Sequence, residues 1–70
     1  MTIGANLKRL RLSKNMSQAD LAKAVSVTQP MIAQIERGTK SLTMELGREI
    51  SEVLEVPIDA LLEDSTKQTA

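Results

Sequence analysis

The chain contains no cysteine, no histidine and no aromatic residue. Without cysteine there is neither a disulfide nor a thiolate metal site to stabilise it. Without histidine it lacks the commonest metal ligand and the usual general base near neutral pH. Without Phe, Tyr or Trp it cannot stack bases in the manner of single-strand and RNA-binding modules. No apolar run approaches the roughly 20 residues of a membrane span. No secretory pattern stands at the N-terminus, so a soluble, cytoplasmic protein is expected. No acid or hydroxyl is paired with a base or a metal partner, so no catalytic constellation is visible and no enzyme, cofactor or metal is expected.

What remains is an aliphatic protein of 70 residues with a formal net charge of zero. A chain of this size buries only about 60% of the surface its unfolded form exposes, which leaves a thin stability margin. The balance of charge hides a strong asymmetry. Residues 1–40 carry seven cations against two acids, a net +5, and residues 41–70 carry two cations against seven acids, a net −5. Such polarity suits a molecule that turns one face to an anion and the other away, although solvated helix faces give the same pattern. Lys8, Arg9 and Lys14 fit a solvated face that steers toward phosphate only weakly.

The patterning is helical throughout, with no strand signal, no repeat and no low-complexity segment. A first helix is expected from about Thr2 to Lys14, with Thr2 as N-cap and Ile3, Leu7 and Leu10 forming one apolar stripe. Asn15 suits a left-handed helix end, and Met16 packs before the next cap. Ser17 and Asp20 have capping-box spacing for a second helix, whose inward residues are Leu21, Ala22 and Val25. Ser26 makes a turn and Val27 returns to the core. Thr28 caps a third helix, Pro30 sits in its first turn, Ile32 and Ile35 form its apolar stripe, and Gly38 ends it. After the polar Thr39-Lys40-Ser41 loop, Thr43 caps a fourth helix from roughly Met44 to Leu54. Met44, Ile50 and Leu54 are its expected inward residues, with Gly47 and Val53 beside them. Pro57 starts a last short helix through about Leu62, carrying Ile58, Leu61 and Leu62 after the apolar Val56. These segments make one domain over residues 1–63; the polar 64–70 tail has nothing to bury and is expected to be disordered.

The stretch Ser17–Gly38, SQADLAKAVSVTQPMIAQIERG, holds the functional signal. Two helices joined by a tight turn need a small residue where they cross (Ala22), a residue tolerant of left-handed backbone (Ser26), and apolar anchors (Val27, Ile32, Ile35). Thr28, Gln29, Met31, Ala33, Gln34 and Arg37 are then left outward, with Met31 able to serve either the core or the surface. A helix lying in the DNA major groove offers its N-terminal residues to base edges. Gln29 and Gln34 suit adenine, which a glutamine amide can bond at N6 and N7, and Thr28 and Met31 can touch a thymine methyl. Ordinary solvation is the competing reading for both glutamines.

The pattern QxxLAxxxxVxxxxIxxIExG, followed by an apolar helix and VPIDALL, resembles the Cro/C1-type, lambda repressor-like helix-turn-helix family over about residues 3–62. The resemblance implies an all-α, five-helix DNA-binding domain that reads double-stranded operator DNA as a homodimer and regulates transcription. It implies base reading or adjacent contact by Thr28, Gln29, Met31 and Gln34. It implies phosphate contact by Gln18, Arg37, Thr39, Lys40 and Ser41. Arg11 and Glu36 resemble the family's buried salt bridge between the first and third helices. Ile58 and Leu62 exceed what so short a helix need bury, and are the expected dimer interface. The chain departs from the pattern in four places: Ser26 stands for the usual turn Gly, Pro30 for a polar reader, Gly47-Arg48 for a Leu pair, and Glu55 for a C-terminal Gly. The competing function is an antitoxin-like or other protein-interaction module that keeps the fold and reads little or no DNA.

Overall fold

The computed structural model describes residues 2–62; the expected tail, residues 64–70, lies outside them. Five helices follow in order: α1 (Ile3–Ser13), α2 (Gln18–Ala24), α3 (Gln29–Arg37), α4 (Met44–Leu54) and α5 (Ile58–Leu62). Among the described residues there is no strand, and no helix is long and apolar enough to cross a membrane.

The four longer helices begin and end by the same chemistry. Thr2, Ser17, Thr28 and Thr43 stand in extended backbone, and each side chain accepts the N–H of the residue three positions on. That satisfies a donor that the helix itself leaves open. At the other end each helix closes on one left-handed residue: Asn15 (φ 57°), Ser26 (59°), Gly38 (88°) and Glu55 (60°). The next residue then donates its N–H five positions back: Met16 to Arg11, Val27 to Ala22, Thr39 to Gln34 and Val56 to Ser51. This is the Schellman closure, which satisfies carbonyls at the helix end. Ser26 and Glu55 thus hold the backbone of the glycines they replace.

The core is aliphatic: Leu7, Leu10, Leu21, Ala22, Val25, Ile32, Ile35, Leu46, Ile50, Leu54 and Leu61 are buried. Met16, Val27, Met31, Leu42, Val53, Val56 and Ala60 pack around it, partly buried. The third helix packs on α1 and α2, while α5 bridges α1 and α4. Two expectations are corrected here. Met44 is 59% exposed, and the inward residue of that turn is Leu46, 7% exposed. Leu46, Ile50 and Leu54 are four apart and share a stripe, whereas Met44 lies two residues, about 200°, from Leu46. Ile3, expected on the α1 stripe, is 37% exposed at the start of its helix. At Gly47 an added Cβ would stand 3.4 Å from the Leu42 side chain and 3.8 Å from that of Ile58, ordinary van der Waals contact, so packing does not demand glycine there.

Two further contacts fix the frame. Gly4 lets α1 press against the end of α3, where an added Cβ would come within 2.5 Å of the carbonyl oxygens of Ile35 and Glu36. Asn6, 2% exposed, donates from Nδ2 to the Leu61 carbonyl at 3.0 Å and ties α1 to α5.

Candidate nucleic-acid interface

The candidate interface is the α2–turn–α3 unit. Ser17 begins α2 with a complete capping box: its Oγ accepts the Asp20 N–H at 2.9 Å, and its own N–H donates to Asp20 Oδ2 at 3.1 Å. The backbone and hydroxyl bonds from Ser17 hold the Asp20 carboxyl below its ordinary pKa. The buried Ala22 lets α2 and α3 approach, and Ile32 and Ile35 turn inward beneath the outer face of α3.

Thr28, Gln29, Gln34 and Arg37 are exposed on that face, as are Thr39, Lys40 and Ser41 in the loop beyond it. Met31 is half-buried against the core, between the buried stripe and the exposed face of α3. Two hydroxyls already serve the backbone: Thr28 Oγ1 accepts the Met31 N–H, and Thr39 Oγ1 donates to the Gln34 carbonyl at 3.2 Å.

The N-termini of α2 and α3 are linked by side chains. Gln29 Nε2 donates to Gln18 Oε1 at 2.8 Å, and Gln18 Nε2 donates to Glu36 Oε1 at 3.0 Å. The Glu36 carboxylate in turn receives Arg11, from Nε to Oε2 at 2.7 Å and from the Nη2 nitrogen to Oε1 at 3.1 Å. The remaining arm of Arg11 donates to the Met16 carbonyl at 2.7 Å. The side chains of Arg11 and Glu36 are only 7% and 5% exposed, so the expected salt bridge is present and nearly dry. It is an α1–α3 strut that also touches the α1–α2 connection.

The proposed phosphate contacts fall in two places. Gln18 and Arg37 line one depression together with Lys8, Ala33 and Glu36. Lys40 and Ser41 line another, beside Thr2, Ile3, Gly4 and Leu42. Lys8 was legible only as part of a solvated basic face, and the crossing of α1 over α3 sets it beside Arg37. The links from Gln18 to Glu36 and Gln29 also escape the sequence, because helix spacing carries no information on contacts between helices. Among the described residues there is no group of three or more acids that could hold a metal ion.

A helix-turn-helix family profile matches residues 7–61. The chain is 36% identical to the control protein C.BamHI of Bacillus amyloliquefaciens over 67 residues, which is 94% of this chain and 83% of that one. Its structure resembles the P22 c2 repressor protein in complex with a synthetic operator. The TM-score is 0.83 and the identity 28%, over 90% of this chain and 96% of that one. It also resembles a chain of the SinR protein/SinI protein complex. There the TM-score is 0.85 and the identity 26%, over 99% of this chain and 68% of that one.

Proposed function

Because the chain belongs to the Cro/C1-type helix-turn-helix family of DNA-binding transcriptional regulators, we propose that it reads a specific double-stranded operator with α3. The observation that carries this reading is the exposed N-terminal turn of α3, where Gln29 is tied to Gln18 across the two helix starts. The bond holds one amide at the lip of α3 and another at the lip of α2. In this reading α3 enters the major groove, and Thr28, Gln29 and Gln34 meet base edges, with Met31 at their border. Gln18 and Arg37, with Lys8 beside them, grip one run of phosphates, and Thr39, Lys40 and Ser41 grip another. The P22 c2 repressor, a structural relative, is seen on a synthetic operator.

One α3 covers about half of such a site, so two copies related by a twofold axis would read half-sites about 34 Å apart. We place the contact between copies on Ile58 and Leu62, which are half-buried while Leu61 alone of α5 is buried. Repression is the favoured sign of regulation, and the cytoplasm the favoured compartment. A second reading, a protein-interaction module, has support in the SinR protein/SinI protein complex, one chain of which is a structural relative.

Titration with duplex DNA at rising salt tests the proposal. Selective binding that weakens steeply with salt is expected, because each neutralised phosphate releases counterions. Absence of binding at low salt contradicts it and favours the interaction module.

A further inference from the structure

We propose that the surface on which two copies meet is wider than α5. It runs from Ile58 and Leu62 over Gly47 to Leu42 and Met44, and at its rim Arg48 of each copy pairs with Asp59 of the other. The inference rests on the association through α5 proposed above and deepens it, by naming the rest of the contact and the charge pair that sets its register.

The outer side of α5 is too small to hold two copies by itself. A specific interface takes about 800 Å² from each partner, whereas α5 has five residues, of which Leu61 is already buried. The apolar surface continues beyond it. Leu42, from the loop before α4, and Ile58, from α5, approach the same point on α4: a Cβ at Gly47 would lie 3.4 Å from one side chain and 3.8 Å from the other. Gly47 is buried and both side chains are half-buried, so they cover the glycine and keep an outer side in solvent. Met44 extends this surface. It precedes Gly47 by three residues, which sets it about 60° from Gly47 around α4, and it is 59% exposed. A lone exposed methionine is ordinary; this one stands beside an apolar pair that is itself only half covered.

Charge selects the occupant. Going round α4 from the buried Gly47 and Ser51, Met44 comes first and Arg48 next, while Glu52, Glu45 and Glu49 lie further round. On α5, Ile58 and Leu62 share a face, and Asp59 borders it on the side away from the buried Leu61. The apolar surface therefore has a cation on its α4 border and an acid on its α5 border. Arg48 is the only cation between Lys40 and Lys67. Among the described residues neither Arg48 nor Asp59 has an ion-pair partner within the chain. A twofold axis brings residue i of one copy to residue j of the other, and j to i. A surface with opposite charges on its two borders matches itself under that operation and makes each pair twice. A partner with charge of one sign is repelled at one border. Arg48 thus offsets the like charge that two acidic halves bring together, and fixes the register in which their apolar residues meet.

Sedimentation of the full chain over a range of concentrations measures the dimer dissociation constant. Arg48→Glu and Asp59→Lys should each raise it by on the order of tenfold, since each turns two opposite-charge pairs into like-charge pairs. Mixed in equal amounts, the two variants should associate with each other about as tightly as the unaltered chain does with itself. Each altered residue then meets its opposite charge, and the two unaltered residues meet as before. Damage to either fold would not produce that recovery. Met44→Gln should raise the constant by about tenfold, as loss of an apolar side chain buried once in each copy does. Single variants that dimerise like the unaltered chain, or mixed variants that stay apart, overturn the charge pair. An unchanged constant in Met44→Gln overturns the extension onto α4. An unaltered chain that is monomeric at high concentration overturns the association through α5 itself, which keeps the two failures distinct.

Discussion

Single residues in this protein are constrained by the atoms packed directly against them. Gly4 sits against two carbonyl oxygens at the end of α3, at a distance where no side-chain carbon fits. Gly4→Ala must push α1 off α3 and should cost about 1–3 kcal/mol, as overpacking of a tight contact does; thermal unfolding measures it. On the reading face, Gln29→Ala should lose about 1–3 kcal/mol on the selected operator and relax preference at one base pair, whereas Lys40→Ala should weaken all sequences alike and flatten the salt slope. Competition binding against base-substituted duplexes separates the two patterns. Gly4 and Asn6 were not legible in the sequence as contacts. A glycine in a first helical turn and a short amide beside an apolar stripe have no local signature, and the partner carbonyl of Asn6 lies 55 positions away. Leu46 stands four residues before Ile50 and eight before Leu54, a helical spacing that Met44 does not share, so the inward residue of that turn could have been read from the chain and was not.

At the scale of the element, starts and stops were written in the chain. Thr2, Ser17, Thr28 and Thr43 each cap the helix expected of them, since capping is a local bond between a side chain and a backbone three residues away. The stops carry strain. Ser26 and Glu55 hold left-handed backbone that costs a residue with a side chain about 1 kcal/mol or more. Ser26→Gly and Glu55→Gly should each raise stability by up to about 1 kcal/mol, reduced by the greater freedom glycine has in the unfolded chain. Chemical denaturation of the two single variants and the double tests this, and loss of stability in both would contradict the strained-closure account. The start of α2 responds to pH. The Asp20 carboxyl is held below its ordinary pKa by the bonds from Ser17, so the folded state binds its proton less readily than the unfolded state. Its contribution is present above the ordinary carboxylate pKa and is lost as pH falls through the lowered value. Asp20→Asn should flatten the acid limb of the stability profile, measured by melting temperature against pH from neutral to acid.

What the elements do together was legible only in outline. The pattern of small and apolar residues over Ser17–Gly38 specifies how α2 meets α3, and the likeness to a family supplied the salt bridge of Arg11 with Glu36. The pattern does not contain the onward links to Gln18 and Gln29, which exist because α1, α2 and α3 converge on one carboxylate. For the whole molecule, acids of the second half stand at exposed positions of α4 and α5, at Glu45, Glu49, Glu52 and Asp59, and at Glu55 in the closure of α4. Lys8 and Arg37 line one depression beside α3 and Lys40 lines another. Zero net charge therefore conceals a polarised molecule, whose basic side is suited to phosphate. Association through α5 would double that side. Leu62→Asp should shift the chain toward monomer in light scattering and weaken operator binding while leaving the fold intact by circular dichroism; a chain that is monomeric at high concentration before any substitution contradicts the assignment of Ile58 and Leu62.

The central claim is that α3 reads DNA sequence, with Gln29 at its leading edge. Selection of binding sites from random duplex DNA, run in parallel on the unaltered chain and on Gln29→Ala, tests it most directly. The account predicts a site of two related half-sites about 34 Å apart for the unaltered chain, and for the variant the same site with one base pair relaxed in each half. Recovery of unselected DNA by the unaltered chain, or of identical sites by both, would contradict it.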